Sequence, residues 1–196
     1  MSTRERIVTA AAEVIRDRGL ARATTKEIAR AAGLSEAALY KHFRDKTDIF
    51  LAVLAERGPT NLVAVLGALP ERVGREPLTT VLRDVVLAAA NVYDQAFPMA
   101  ASLFAEPALL AAHRTALSER GIGPQIPSQA LAAYLHAEQQ IGRVSEDADP
   151  TAAAMALLGA CFHRAFLGHF TEHSTDLRKF ATTLIETVLA GLTPRP

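Results

Sequence analysis

Between Thr24 and Lys46 the chain gathers side chains able to contact a polyanion. Tyr40, Lys41, His42 and Lys46 carry donors suited to phosphate oxygens, and the small Ala37 and Ala38 let backbone and methyl groups approach base edges closely. Glu36 could accept a proton from a cytosine amino group. It also stands in the first turn of a helical pattern, where the macrodipole alone favours a carboxylate. Tyr40 reads either as a half-buried ring or as a phosphate ligand, and His42 either packs or donates. Thr24 and Ser35 read first as helix caps.

Positioning these groups requires two short helices around a glycine. Thr24 and Glu27, three apart, form a capping box in which hydroxyl and carboxylate each satisfy an orphan backbone donor. Ile28, Ala29 and Ala32 follow at helical spacing, and Gly33 supplies the positive φ that ends a helix sharply. Ser35 caps the next helix. There Leu39 and Phe43 fall four apart and point inward, leaving Glu36, Ala37, Tyr40 and Lys41 outward. The pattern is a helix-turn-helix, with an outer face that suits the major groove.

The same residues resemble the DNA-binding domain of the TetR family of transcriptional regulators. The likeness rests on the pair Thr24–Thr25, the pair Ile28–Ala29, the turn Ala32-Gly33-Leu34-Ser35 and the run Leu39-Tyr40-Lys41-His42-Phe43-Arg44-Asp45-Lys46. It covers the first quarter of the chain. The resemblance implies a three-helix DNA-binding domain (residues 1–46) and a helical effector-binding and dimerisation domain (residues 47–196). It also implies a homodimer on a palindromic double-stranded operator, with repression as the default and release by a small molecule. Carried onto these positions, it places phosphate contacts on Thr25, Tyr40, His42 and Lys46. Base reading falls on Lys26, Glu36, Ala37 and Lys41. Ala38 departs from the pattern: many members carry a hydroxyl there, and that phosphate contact is missing.

Lys plus Arg equal Asp plus Glu at 21 each, yet the balance is uneven. Up to position 57 there are eleven cations against eight acids, so the head is net basic and the remainder net acidic. A modest excess suffices for a domain touching a few phosphates, and a dimer doubles it. Arg4 and Arg6 read as an N-terminal arm able to reach the DNA backbone or minor groove, or as a disordered end.

Ile7, Ala11, Val14 and Ile15 repeat from Thr3 onward and end at Gly19, giving the first helix. Ile49, Phe50, Val53 and Leu54 make a stripe beginning near Thr47, a helix able to carry motion out of the DNA-binding domain. Gly58 and Pro59 interrupt it, and Leu62 to Leu69 either continues it beyond a kink or forms its own helix. Further on the chain reads as helix throughout, without strand-like alternation or repeat, so the fold class is all-α. Helices are expected over 78–96, 99–105, 108–120, 128–141, 151–170 and 176–190. Asp149 followed by Pro150 is a cap and first-turn pair. The helix at 151–170 is nearly apolar all round, which marks it and 176–190 as the dimer-forming pair, or marks it as a wholly buried core helix.

Nearly half the 196 residues are hydrophobic, enough for a substantial core. No segment reads as a signal peptide. His163, Arg164 and His169 interrupt the apolar stretch from Ala152, so a cytoplasmic protein without a membrane span is expected. Arginine outnumbers lysine and alanine is abundant, a composition suggesting a bacterial source. The single cysteine, Cys161, excludes an intrachain disulfide and sits among apolar residues as an inert thiol.

An effector site belongs among the middle helices. Asn91, Tyr93, Phe97, Met99, Phe104, His113, Tyr134, Phe162, His163 and Phe166 have suitable chemistry, though such residues more often fill a core. The apolar bias favours a hydrophobic or aromatic ligand. An alternative is a regulator whose C-terminal domain answers to a protein partner. An enzyme is disfavoured: no phosphate loop, nucleophile elbow or paired-cysteine metal site is present, and no cofactor is implied. His169 and His173, four apart around Glu172, have a zinc-like spacing. They stand at a helix end that favours histidine through the dipole alone, so no metal is expected.

Overall fold

The structure is a computed structural model and describes residues 1–57, 61–171 and 176–192. Gly58, Pro59, Glu172 and His173, which entered the reading above, lie outside these. The described chain is helical, without strands: α1 (Thr3–Arg18), a 3-10 turn (Leu20–Arg22), α2 (Thr25–Ala31), α3 (Glu36–Tyr40), α4 (Lys46–Arg57), α5 (Asn61–Gly67), α6 (Leu69–Arg72), α7 (Leu78–Phe104), α8 (Pro107–Glu119), α9 (Ile126–Gln140), α10 (Pro150–Gly168) and α11 (Leu177–Leu192). Two compact units result, one of residues 1–58 with 98–122 and the other of 59–97 with 123–196.

In the first unit α1 packs against α2 and α4, and α8 against α4. The core joins Ile7, Val8, Ala11 and Ile15 of α1 to Ile28 and Ala29 of α2, Leu39 and Phe43 around α3, and Ile49, Phe50 and Val53 of α4. Leu103 and Leu109 complete it. Helix α4 begins at Lys46, near Thr47 as expected, and the Asp45 carboxylate accepts from the Asp48 backbone N–H at 2.8 Å, an N-terminal cap. The arm expected at the N-terminus is instead helix from Thr3. Ser2 and Glu5 form a capping box there, Arg4 pairs with Glu56 at 2.5 Å, and Arg6 is drawn into the fold.

In the second unit α10 runs along α9 and α11, and α5 and α6 pack on α9. The core combines Val81, Leu82, Val85, Val86 and Ala89 of α7 with Leu131 and Leu135 of α9, Leu157, Leu158 and Cys161 of α10, and Ile185 of α11. Cys161 is fully buried, and burial pushes its thiol up to about 12, in keeping with an inert group. One acid, Glu138, is buried among the described residues. Its carboxylate accepts from the Gly74 N–H at 3.1 Å and pairs with Arg143 at 3.1 Å, while Arg143 also donates to the Glu76 carbonyl. Pairing and hydrogen bonding offset part of the cost of enclosing a carboxyl group.

Helix α7 overturns the expected break near Pro98. It runs unbroken from Leu78 to Phe104 with Pro98 inside. Proline has no N–H for the carbonyl four residues back, here that of Asp94. The His169 ring supplies the donor, with Nε2 3.1 Å from the Asp94 oxygen, and stacks on Phe97 at 5.1 Å between centroids. His169 therefore satisfies a backbone group in the second unit.

Helix α10 presents a buried face of Ala153, Ala154, Leu157, Leu158, Cys161 and Ala165. Its opposite face leaves Met155, Phe162, Phe166 and Leu167 exposed, with Phe170 just beyond its end. By length and composition alone this 19-residue helix, of mean hydropathy 1.3, could cross a membrane; the interrupting His163 and Arg164 do not shorten it.

Candidate nucleic-acid interface

The turn that aims α3 is built from local hydrogen bonds. Thr24 Oγ1 accepts from the Glu27 N–H at 3.2 Å and Glu27 accepts from the Thr24 N–H at 3.2 Å, the expected reciprocal cap. The Thr24 backbone N–H first, and the Arg18 guanidinium at 2.5 Å besides, hold the Glu27 carboxyl below the usual carboxylate range. At the other end of α2 the Gly33 N–H reaches the Arg30 carbonyl at 3.1 Å and the Leu34 N–H reaches Ala29 at 2.9 Å. This is a Schellman closure, and it requires φ of +66° at Gly33. Arg6 Nη2 donates to the Ala32 carbonyl at 2.7 Å, which ties α1 to the same turn. Ser35 Oγ accepts from the Ala38 N–H at 3.2 Å and starts α3.

Leu39 is fully buried and Phe43 nearly so, which anchors the inner face of α3 as the spacing requires. Outward stand Lys26, Ala37, Tyr40, Lys41 and His42, all exposed, while Thr25, Glu36 and Ala38 are half-buried. His42, for which packing was one reading, is exposed. The face thus brings together the short helices' expected base-reading and phosphate groups. Beside it lies an open hollow of about 740 Å³ lined by Arg18, Lys26, Arg30, Glu27 and Glu36 among others.

Two arrangements had no signal in the sequence. Thr25 Oγ1 donates to Glu36 Oε1, and the Tyr40 hydroxyl lies 3.4 Å from Thr25 Oγ1. Lys46 Nζ donates to the Leu20 carbonyl at 2.7 Å, so one of its three protons serves the fold and two remain for a phosphate.

The residues named for an effector fall into both units and do not form one cluster. Tyr93, Phe97, Phe162 and Phe166 meet in the second, with centroids 5.7–5.8 Å apart in edge-on or tilted contacts. Tyr134 is buried elsewhere in that core; burial first, and then the neighbouring Glu138, raises its hydroxyl above the usual tyrosine range. His163 is exposed, and Asn91 borders an open hollow of about 470 Å³ with Arg72, Asp84 and Leu87. Met99, Phe104 and His113 belong to the first unit. There Phe104 is 72% exposed, Met99 packs on the core, and burial lowers His113 below the usual imidazole range.

Two short helices, the first held by a capping box and a glycine closure and the second started by a hydroxyl cap, with an inner leucine and phenylalanine and an outer basic and tyrosyl face, define a helix-turn-helix DNA-binding domain. Residues 7–53 match the family of bacterial regulatory proteins, tetR family, and the chain carries that family's N-terminal domain. The chain is similar to the HTH-type transcriptional regulator SrpR of Pseudomonas putida, 47% identical over 55 residues, or 28% of this chain and 26% of that protein. It is also similar to the HTH-type transcriptional repressor BepR of Brucella suis, 46% identical over 52 residues, or 26% and 25%. The matched stretch thus spans about a quarter of these relatives' length. Over the whole chain the fold is that of a solved Mesorhizobium loti protein assigned to the TetR-family regulators, with TM-score 0.79, 20% identity, and 97% and 96% of the two chains covered. SmeT, the repressor of the Stenotrophomonas maltophilia multidrug efflux pump SmeDEF, gives TM-score 0.67 and 19% identity over 98% and 91%.

Proposed function

We propose that this protein is a cytoplasmic, non-enzymatic transcriptional regulator that binds a palindromic operator as a homodimer and is released from it by a small apolar or aromatic molecule. The observation that carries this reading is the helix-turn-helix face, on which Lys26, Ala37, Tyr40, Lys41 and His42 stand exposed on a turn closed from both sides. Thr25, Tyr40, His42 and Lys46 anchor phosphates, whereas Lys26, Glu36, Ala37 and Lys41 read bases, with Ser35 and Ala38 lining the approach. Repression is the assigned sign.

The exposed Met155, Phe162, Phe166 and Phe170 supply the dimer surface, since an apolar stripe of this kind on a soluble helix is stabilised by a second copy. In a dimer the two α3 helices enter the major groove at half-sites about one helical turn, roughly 34–36 Å, apart or a multiple of it. The effector acts from residues 47–196, around the aromatic cluster of α7 and α10 or the hollow beside Asn91, and α4 transmits its effect. A ligand that favours a different separation of the two α3 helices weakens both half-sites together. SmeT is solved in complex with triclosan, and the regulator FadR from Bacillus subtilis in complex with stearoyl-CoA, which supports an apolar effector here.

The test is binding of the purified protein to DNA flanking its own gene, at physiological salt and against excess random competitor. Competitor-resistant binding to a palindrome is expected, with Tyr40→Phe and Lys46→Ala each weakening it about three- to tenfold regardless of sequence. Undiminished binding by both variants would refute the phosphate assignment.

A further inference from the structure

The contacts around Glu36 make phosphate anchoring and base reading a single event. Thr25 opens α2, while Glu36 opens α3 and Tyr40 closes it. A carboxylate has no proton to offer, so the one hydroxyl proton of Thr25 goes to Glu36. Thr25 Oγ1 then presents only lone pairs, and the Tyr40 hydroxyl, 3.4 Å away, directs its own proton to it. In the DNA-free protein both hydroxyl protons are therefore spent inside the chain, with a half-buried negative charge at the end of the relay.

Phosphate oxygens only accept. For Thr25 and Tyr40 to hold phosphates, both protons must turn outward, and Glu36 then loses its donor beside a polyanion. A half-buried carboxylate stripped of its hydrogen bond is costly unless a new donor arrives. In the major groove the amino donors are N4 of cytosine and N6 of adenine, and the N7 lone pair beside the adenine N6 repels a carboxylate, which leaves the N4 amino group of cytosine as its partner.

We infer that Glu36 is a specificity-determining residue that couples the release of the Thr25 and Tyr40 hydroxyls to the reading of one cytosine per half-site. The inference rests on the DNA-binding reading above and deepens it. Glu36 acts as a gate: without cytosine beneath it, it keeps the two phosphate ligands engaged internally and so suppresses non-specific binding.

The experiment selects bound duplexes from a random-sequence library with the purified full-length protein, Glu36→Ala and Glu36→Gln, and measures the affinity of each for random-sequence DNA at fixed salt. Melting curves confirm that the variants are folded. The wild type should enrich one cytosine per half-site. Glu36→Ala should lose that preference while keeping the others, and should bind random DNA about three- to tenfold more tightly, since the freed hydroxyls and the lost charge together add about one hydrogen bond's worth of affinity. Glu36→Gln should move the preference toward adenine, whose N6 and N7 match an amide. Retention of the cytosine in both variants, or a wild-type site with none, would overturn the gate while leaving the regulator standing. Absence of any sequence-preferring binding by the wild type would overturn the DNA-binding reading itself and the gate with it.

Discussion

Replacing Gly33 by alanine tests how far the turn sets the aim of the recognition helix. Gly33 has φ of +66°, and an L side chain in the left-handed region costs about 1–2 kcal/mol. The added Cβ would also lie 3.3 Å from Arg6 Nη2, the atom that donates to the Ala32 carbonyl at 2.7 Å. Moving the guanidinium a few tenths of an ångström relieves the contact but weakens that charged hydrogen bond, at about 1 kcal/mol. The expected loss is therefore about 2–3 kcal/mol, which lowers the urea midpoint of this unit by about 1 M for a slope of roughly 2 kcal/mol per molar. Because Gly33 closes α2 just before α3 begins, operator affinity should fall more than stability alone predicts, twice over in a dimer. Gly142→Ala is the control: φ is +75° and its added Cβ would meet nothing within 4 Å, so strain acts alone, in the unit that does not carry α3. It should destabilise by about 1–2 kcal/mol and leave DNA affinity unchanged. The reasoning is refuted if Gly33→Ala matches the wild type in both midpoint and operator affinity.

Other consequences are equally open to measurement. Met155→Glu combined with Phe166→Glu places charge on the exposed face of α10 and should weaken self-association by about 100-fold or more, some 3 kcal/mol, read by sedimentation equilibrium; an unchanged dimer would remove this face from the interface. His169→Phe keeps a ring to stack on Phe97 but leaves the Asp94 carbonyl without its donor, so the second unit should lose about 1 kcal/mol and exchange amide hydrogens faster around Pro98. Burial lowers the His113 pKa in the folded state, so below about 6.5 the unfolded chain binds more protons. Its contribution to stability is complete above that pH and is lost as the pH falls. His113→Leu should flatten the decline in melting temperature between about pH 7 and 5.

The DNA-binding motif was legible because its determinants lie within a few residues of one another. Thr24 with Glu27, Gly33 after Ala32, Ser35 ahead of α3, and Leu39 four before Phe43 are all short-range relations, and a helix cap or an inward face needs nothing more. The all-α class followed from the same helical periodicity, whereas α10, apolar nearly all round, gave no sign in its sequence of which face is buried. What the sequence could not disclose are partnerships between distant positions. Arg6 meets the Ala32 carbonyl across 26 residues, Glu138 meets Gly74 across 64, and His169 meets Asp94 across 75. Each decides something that local reading would reverse. Arg6 looked like an arm and instead braces the turn, and Pro98 looked like a helix end until a histidine replaced its missing donor. Glu138 is the one buried acid among the described residues, and its sequence neighbours do not mark it as such. The chain alone determined that its segments are helical and where the helix-turn-helix pattern lies. Tertiary structure decided where the unpaired donors and acceptors of those helices find partners, because only folding brings such groups within 3 Å and removes the water that would otherwise satisfy them.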